Sequence, residues 1–195
     1  MLPNALYWRG FQSLYAGDKA AAEREFTRAK DLGLSFADNG LAALARSLGD
    51  YAKARELVLP FLLDNPENMA CLKDAASSAH IFLDGCIGGD APGRAKALAI
   101  IDGCLASKPV VVPLLVPHGL MRMGLPARAL EAMAPGPVTD EAGLFVYLWG
   151  PDGRDTRRLP EFAQFLRKSG LADLWDSYGA PDACHKNAAG DYFCD

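Results

Sequence analysis

A short pattern occurs twice in the first third of the chain. Each copy is a Gly-Asp pair followed by apolar residues at regular spacing. The two copies are Gly17-Asp18 with Ala22, Phe26 and Ala29, and Gly49-Asp50 with Ala54, Val58 and Phe61. Apolar residues at i, i+4 and i+7 lie on one face of an α-helix, and a Gly-Asp pair before them is typical of a tight turn. The pattern predicts a repeated helical hairpin in which the turn precedes the second helix.

These features resemble the tetratricopeptide repeat, a helix-turn-helix unit of about 34 residues. The resemblance rests on the spacing from Ala22 to Phe26, on Gly10 in the preceding helix and on Pro66 after the second unit. It implies an all-α chain, a tetratricopeptide-like α-solenoid of about four helical hairpins with a C-terminal capping helical segment. The abundance of alanine and leucine in the periodic segments also favours helices over strands.

The predicted repeats span about residues 3–34, 35–68, 69–109 and 110–135, followed by capping helices at 136–179 and a tail flanked by cysteines at 180–195. The predicted helices include 3–16, 19–32, 69–83, 113–123, 139–149 and 160–169. A long glycine-rich turn is predicted at 85–93, before a helix that starts near Arg94. Ser35 and Thr139 are predicted N-caps, and Asn65-Pro66 is predicted to end the second unit. The last helix is predicted to turn four apolar residues inward: Leu171, Leu174, Trp175 and Tyr178.

Charge and hydrophobicity exclude some classes of protein. The net charge is -4, whereas a nucleic-acid surface needs clustered lysine and arginine. The basic cluster at Arg154, Arg157 and Arg158 is predicted to be a solvated loop. The longest apolar run, 110–116, is too short to cross a bilayer, and the amino terminus lacks the charged-then-apolar order of a signal peptide. We therefore expect the chain as given to be soluble and not to bind nucleic acid.

Four short segments near the carboxy terminus carry a second resemblance. They are Leu-Trp-Gly-Pro at 148–151, Arg-Leu-Pro-Glu-Phe at 158–162, Gly-Leu-Ala-Asp-Leu-Trp at 170–175 and Gly-Ala-Pro-Asp-Ala-Cys at 179–184. This order resembles the end of the tetratricopeptide regions of bacterial signalling proteins, namely membrane-anchored CadC-type winged-helix transcription regulators and class III adenylate cyclases. The chain departs from that pattern at Leu174 and Ala180, where the family often has tyrosine and tryptophan.

In those proteins, the output domain is cytoplasmic and the repeats usually lie across the membrane from it. The resemblance therefore implies a sensory or protein-interaction role in the periplasm, with membrane attachment only through a segment absent from this chain. Three alternatives stay open. They are a cytoplasmic location, a free-standing scaffold or chaperone-like adaptor for assembly or secretion, and a small-molecule sensor that uses the 85–93 turn.

The five cysteines suggest one disulfide. Cys184 and Cys194 flank a polar tail, and a bridge between them would close a loop of about eleven residues. Two other hypotheses are open, free thiols and a zinc site formed by Cys184, His185 and Cys194. Cys71 and Cys104 are predicted to lie near each other in the third hairpin. For both of them, and for Cys86, packing as buried apolar side chains is the favoured interpretation.

Motifs for catalysis are missing from the sequence. His80, His118 and His185 have no His-Glu-x-x-His spacing, and no Gly-x-Ser-x-Gly motif occurs. The glycine-rich stretch at 85–93 lacks the Gly-Lys-Ser/Thr ending of a phosphate-binding loop. The sequence predicts a protein that is not an enzyme and has neither cofactor nor metal.

A partner-binding face is the remaining prediction. In tetratricopeptide arrays, the first helix of each hairpin lines the concave face. Counting along these helices gives nine residues for a protein or peptide partner: Tyr7, Phe11, Tyr15, Asn39, Arg46, Lys73, His80, His118 and Arg122. An aromatic end followed by cations suits an extended peptide with one apolar anchor and acidic residues. The alternative is that the aromatic residues pack between neighbouring hairpins.

Overall fold

The computed structural model describes residues 2–64, 74–107, 112, 115–133 and 147–194. The chain divides into two compact units, 1–106 and 107–195. The described residues are mostly helical, which confirms the predicted all-α class, and they include one small two-stranded sheet. None of the helices in this part of the chain is long and apolar enough to cross a membrane.

The described residues of the first unit form three helical hairpins. Its helices are α1 (Pro3–Tyr15), α2 (Lys19–Asp31), α3 (Ala37–Ser47), α4 (Tyr51–Asp64), α5 (Ala75–Cys86) and α6 (Ala91–Ala106). Each helix packs against the next one in the chain, and α1 also contacts α3. The first two predicted helices, 3–16 and 19–32, are therefore correct to within one residue.

The repeated Gly-Asp pair forms the same turn in both hairpins. Gly17 and Gly49 have positive φ angles of 87° and 80°, a conformation that glycine adopts without steric cost. The carboxylates that follow cap the second helices. Asp18 accepts from the backbone N–H of Ala21 at 2.9 Å, and Asp50 accepts from that of Lys53 at 3.0 Å. The sequence repeat is thus a helix C-terminal glycine joined to a helix N-cap.

Phe26 of α2 fills the space between two first helices. A Cβ atom added to Gly10 of α1 would lie 2.5 Å from Phe26 Cε1, and one added to Gly40 of α3 would lie 2.3 Å from Phe26 Cδ1. The phenylalanine side chain is completely buried. Its ring therefore needs a glycine in each of these helices, which brings α1 and α3 close to the same side chain.

The junctions between successive hairpins repeat as well. Lys19, the first residue of α2, donates through Nζ to the carbonyl oxygen of Ser47, the last residue of α3, at 2.9 Å. Tyr51, the first residue of α4, packs against Gly88, which lies two residues after α5. A Cβ atom at Gly88 would be 2.4 Å from Tyr51 Cγ. In both cases, the start of a second helix contacts the end of the next hairpin's first helix.

The third hairpin differs from its prediction. The helix predicted at 69–83 is α5, which begins at Ala75 after the N-cap Asp74, and the turn predicted at 85–93 shortens to residues 87–90. The glycines mislead here because Gly85 lies inside α5. A Cβ atom at Gly85 would be 2.3 Å from Cβ of Ala97 in α6, so this glycine permits a close helix crossing.

Two other local predictions in the first unit need correction. Ser35 is not the N-cap of α3, because this helix starts at Ala37 after Phe36, which makes no side-chain cap bond. In α4, Leu62 is buried and Phe61 is only partly buried, so the apolar stripe continues one residue later than predicted. This change comes directly after Pro60, which interrupts the backbone hydrogen bonding of the helix. Asn65-Pro66 lies outside the described residues, as does Thr139.

The second unit has shorter elements. They are α7 (Leu115–Arg122), α8 (Pro126–Met133), a helical turn at 147–149, a 3₁₀ turn (Pro151–Gly153), α9 (Arg154–Arg157), α10 (Phe162–Lys168), α11 (Leu171–Tyr178) and the antiparallel strands β1 (Cys184–Lys186) and β2 (Tyr192–Cys194). The α7–α8 hairpin uses the same kind of turn as the first two hairpins, with Gly124 at a φ of 74°. It lies within the predicted fourth repeat, 110–135.

The basic segment after Trp149 is not a solvated loop. Arg157 is buried, and its Nη1 donates to the carbonyl oxygens of Leu148 and Gly150 while its guanidinium lies over the Trp149 ring. The buried guanidinium thus supplies hydrogen-bond donors to backbone carbonyls of residues 148–150 and stabilises this segment. Arg154 and Arg158 remain exposed.

The inward stripe predicted for the last helix is mostly wrong. Trp175 is buried, whereas Leu174 and Tyr178 are exposed, Tyr178 to 85%. α11 buries Trp175 because this ring meets Tyr192 of β2 edge-on at 5.1 Å and lies 5.7 Å from Trp149. Leu171 and Ala172 at the start of this helix are partly buried.

Replacing either glycine beside Phe26 should destabilise the first unit. We expect Gly10→Ala and Gly40→Ala each to lower the free energy of unfolding by about 1–3 kcal/mol, because the enclosed ring must shift to accept a methyl group. Gly103→Ala in α6 is the matched control. A Cβ atom there meets nothing within 4 Å, so this change should stabilise the helix by about 0.5–1 kcal/mol. Urea unfolding followed by circular dichroism measures all three, and a Gly40→Ala protein as stable as the Gly103→Ala protein would contradict the packing.

Candidate functional site

Two of the aromatic residues predicted for the partner face lie in the core. Tyr7 is 4% exposed, and Phe11 is similarly buried. The Tyr7 ring meets Phe36 edge-on at 4.9 Å, and the Phe11 ring meets Phe26 at 5.1 Å. Both side chains cover Phe26, and Tyr7 also reaches Phe36 before α3, so the alternative that the aromatic residues pack between neighbouring hairpins agrees with their burial. Neither side chain is available to a partner.

The exposed aromatic residues of α1 are Trp8 and Tyr15. Trp8 is 42% exposed and Tyr15 is 40% exposed. They lie seven residues apart, which places them on the same side of the helix two turns apart. The Phe11 ring lies between them, 6.2 Å from Trp8 and 5.6 Å from Tyr15. The sequence analysis identified Tyr15 but missed Trp8, although the i, i+7 spacing was available as a signal.

The predicted polar residues of the first unit lie on α3 and α5. Asn39 and Arg46 of α3 are both partly buried and, like the two aromatic residues, are seven positions apart. His80 of α5 is exposed. It lies on α5, the first helix of the third hairpin, and its assignment to the partner face stays a prediction. Lys73 lies outside the described residues.

His118 and Arg122 meet in a polar cluster inside the second unit. The His118 side chain is 3% exposed, and its ring stacks on Tyr147 with ring centres 3.7 Å apart. One oxygen of Asp152 lies 3.4 Å from Nε2 of His118 and 3.4 Å from Nε of Arg122. The prediction that these two residues line an open face is therefore wrong for His118, which is enclosed, and Arg122 is largely occupied by the carboxylate.

The polar cluster could not be predicted from the sequence because its residues come from separate elements. His118 and Arg122 are one turn apart on α7, and Asp152 comes from the 3₁₀ turn that contacts this helix. Burial raises the pKa of Tyr147, the Arg122 guanidinium opposes that rise, and the Asp152 carboxylate adds to it. The phenol therefore stays neutral at physiological pH, and the cluster resembles a packed polar core more than an exposed binding surface.

The tail forms a hairpin closed by the predicted disulfide. Cys184 and Cys194 are bonded and face each other across the two strands. This bond excludes the hypotheses of free thiols and of a zinc site with both sulfurs as ligands. In the described part of the chain, no group of histidine, cysteine and carboxylate side chains is arranged to hold a metal.

Ionic contacts hold the hairpin against α10 and α11. Asp176 accepts from Lys186 and from the Tyr192 hydroxyl, each at 2.7 Å. These hydrogen bonds, first from Lys186 and then from Tyr192, lower the pKa of Asp176 and raise those of its two donors. Arg167 pairs with Asp191. The tail is thus a docked element of the second unit.

Of the other described cysteines, Cys86 agrees with the interpretation as a buried packing residue and Cys104 differs from it. Cys104 is buried and disulfide-bonded. Cys86 is buried and is a thiol. Cys71 lies outside the described residues. The described chain therefore contains a second cystine sulfur that the sequence analysis assigned to apolar packing.

Three comparisons with known proteins found no match, whether to a family model, a curated protein or a solved structure. Function is therefore argued from the residues and their geometry.

Tyr147 should titrate later than an exposed tyrosine. Because its folded pKa lies above the unfolded value of 10.0, its contribution to stability is complete below about pH 10 and is lost as the pH rises through the folded pKa. In the folded protein slightly above pH 10, we expect Tyr147→Phe to leave tyrosinate absorbance unchanged. A loss of tyrosinate absorbance in the Tyr147→Phe protein at this pH would show that Tyr147 is not shielded.

Removing the tail disulfide should weaken the second unit. Cys184→Ser combined with Cys194→Ser releases a loop of about eleven residues, and we expect the free energy of unfolding to fall by up to about 3 kcal/mol. Trp175 fluorescence should shift to the red because Tyr192 no longer holds its place against the indole. Urea unfolding with and without reductant checks both results. The idea fails if the variant and the reduced protein unfold at the wild-type urea concentration.

Proposed function

We propose that the first unit is a tetratricopeptide-like α-solenoid that binds a protein or peptide along its first helices and does not catalyse a reaction. The observation that carries this proposal is the repeated junction, Lys19 on Ser47 and Tyr51 on Gly88. A solenoid requires successive hairpins to contact each other in a recurring way. At both junctions, the first residue of a second helix, Lys19 or Tyr51, contacts the end of the next hairpin's first helix or the turn that follows it.

The packing around Phe26 supports the same arrangement. A second helix inserted between two first helices is what a stack of hairpins needs, because each hairpin alone leaves one apolar face uncovered. Phe26 provides that contact through Gly10 and Gly40. The α7–α8 hairpin has the same turn around Gly124, and we propose that it is a further repeat of this kind.

Trp8 and Tyr15 are the proposed anchors of the binding face, with Asn39 and Arg46 as its polar members. Tryptophan, tyrosine and arginine are the residues that most often dominate binding energy at protein interfaces. The two exposed rings present apolar area, and a guanidinium favours carboxylates. A peptide with one apolar anchor and nearby acidic residues matches this chemistry.

The wider role we propose is a sensory or interaction part of a bacterial signalling protein in an oxidising compartment such as the periplasm. The carboxy-terminal motifs support the first part of this statement. The Cys184–Cys194 bond and the disulfide at Cys104 support the second, since disulfides persist in oxidising compartments and are rare in the cytosol. In the cytoplasm, these disulfide bonds would be exposed to cellular reductants.

Peptides selected on the full chain from a displayed random library test the binding face. We expect Trp8→Ala combined with Tyr15→Ala to weaken the selected peptides at least about tenfold, because exposed aromatic anchors dominate such contacts. The control is Tyr178→Ala, which removes an even more exposed aromatic ring in the second unit. Isothermal titration measures the affinities. Peptides that bind the double variant as well as the control would refute the proposed anchors.

Charge reversal at Arg46 tests the preference for acidic partners in the same assay. Arg46→Glu should weaken acidic peptides more than neutral ones. Arg122→Glu is unsuitable for this purpose, because it would place a second carboxylate beside Asp152 inside the second unit and destabilise it.

A further inference from the structure

The second unit has an apolar cleft that neither the polar cluster nor the tail hairpin occupies. It lies between α8 and the segment 159–168 and has a volume of about 240 Å³. Leu130, Leu159 and Phe165 form its apolar lining. Leu130 and Phe165 are nearly buried within the unit, so the cleft has a firm floor. Its volume suits one aliphatic or aromatic side chain better than a drug-sized ligand.

Charged residues lie beside the apolar lining of this cleft. Glu161, the residue before α10, and Phe165 and Lys168 within it follow each other at spacings of four and three, which places Glu161 and Lys168 on either side of Phe165 along one side of the helix. The Cα atoms of Glu161 and Lys168 are about 10 Å apart along the helix. Glu131 of α8 also borders the cleft.

These charges are not used by the described fold. Glu131, Glu161 and Lys168 are exposed, and none of the three forms an ion pair within the described part of the chain. By contrast, other charged residues of this unit form ion pairs, Arg167 with Asp191 and Lys186 with Asp176. An apolar floor with an anion at one end and a cation at the other is complementary to a ligand that is apolar in the middle and oppositely charged at its ends.

We propose that this cleft binds an extended peptide segment in which one apolar side chain lies between a basic and an acidic residue. In an extended chain, alternate side chains point to the same side, so residues i, i+2 and i+4 of the peptide face the cleft together. The Cα atoms of residues i and i+4 in such a segment are about 13 Å apart. Flexible arginine and aspartate side chains can bridge the difference to Glu161 and Lys168, whose Cα atoms are about 10 Å apart. This site is separate from the α1 aromatic face and does not depend on its function.

The pentapeptide Arg-Ala-Leu-Ala-Asp, acetylated and amidated at its ends, is the probe. Titration into the isotope-labelled full chain, followed by amide chemical shifts, should give saturable shifts centred on α8 and α10. Two control peptides separate the contributions. Arg-Ala-Ser-Ala-Asp lacks the apolar side chain, and Asp-Ala-Leu-Ala-Asp lacks the cation. Both should bind at least about fivefold more weakly.

Variants of the protein complete the test. Ala127→Trp, at an exposed position that lines the cleft, should fill it and weaken the probe at least about tenfold, whereas Ala99→Trp, at an exposed position of α6, should leave binding unchanged. Glu161→Lys should weaken the probe about fivefold without a change in urea stability.

Three results would overturn the proposal. One is the absence of saturable shifts, and another is equal binding of the three peptides. The third is concentration-dependent self-association that Ala127→Trp abolishes, because it would assign the cleft to a second copy of the chain.

Discussion

The first unit depends on one ring held between two glycines. Phe26 is fully buried between α1 and α3 because Gly10 and Gly40 leave room for it. That contact has two consequences. It fixes how closely the helices of the first hairpin approach the next hairpin, and it forces Tyr7 and Phe11 inward to complete the cover around the ring. The side chains left outside, Trp8 and Tyr15, then become the apolar surface of α1. The same packing that builds the core therefore selects the residues available to a partner.

Polar contacts between side chains stabilise the second unit, because its short helices provide little apolar packing. The helices α7 to α11 are four to eight residues long, and such elements bury little apolar area each. Asp152 joins α7 to the 3₁₀ turn, Arg157 gathers the carbonyls around Trp149, and Asp176 docks the disulfide hairpin. The contacts of Asp152 link residues 30 and 34 positions apart, whereas those of Arg157 and Asp176 span 7 to 16 positions. The unit is consequently sensitive to the charge of these residues and to reduction of the Cys184–Cys194 bond.

The local features of the first two hairpins could be predicted because they are encoded in neighbouring residues. A glycine with positive φ followed by a capping aspartate acts over five residues, and Gly17-Asp18 and Gly49-Asp50 form the expected turns. The boundaries predicted for the third hairpin were wrong because glycine occurs both in turns and at close helix crossings. Gly85 was taken for part of a turn, whereas it serves a helix crossing against Ala97, and only a residue from the other helix reveals that. The tail disulfide was predictable for the same local reason as the turns, since its cysteines are ten residues apart.

The sequence by itself determined the helical class and the Gly-Asp turns, and it favoured the cysteine pairing of the tail. These depend on periodicity, on backbone conformations open to glycine and on short chain separation, all of which can be followed within one segment. The tertiary structure alone decided which side of α1 faces outward, that His118 is enclosed beside Tyr147 and Asp152, and that Arg157 is buried. Those outcomes depend on which distant side chain competes for the same space or charge. A helical periodicity identifies a stripe of residues, but the partner that packs on this stripe determines which of them remain on the surface.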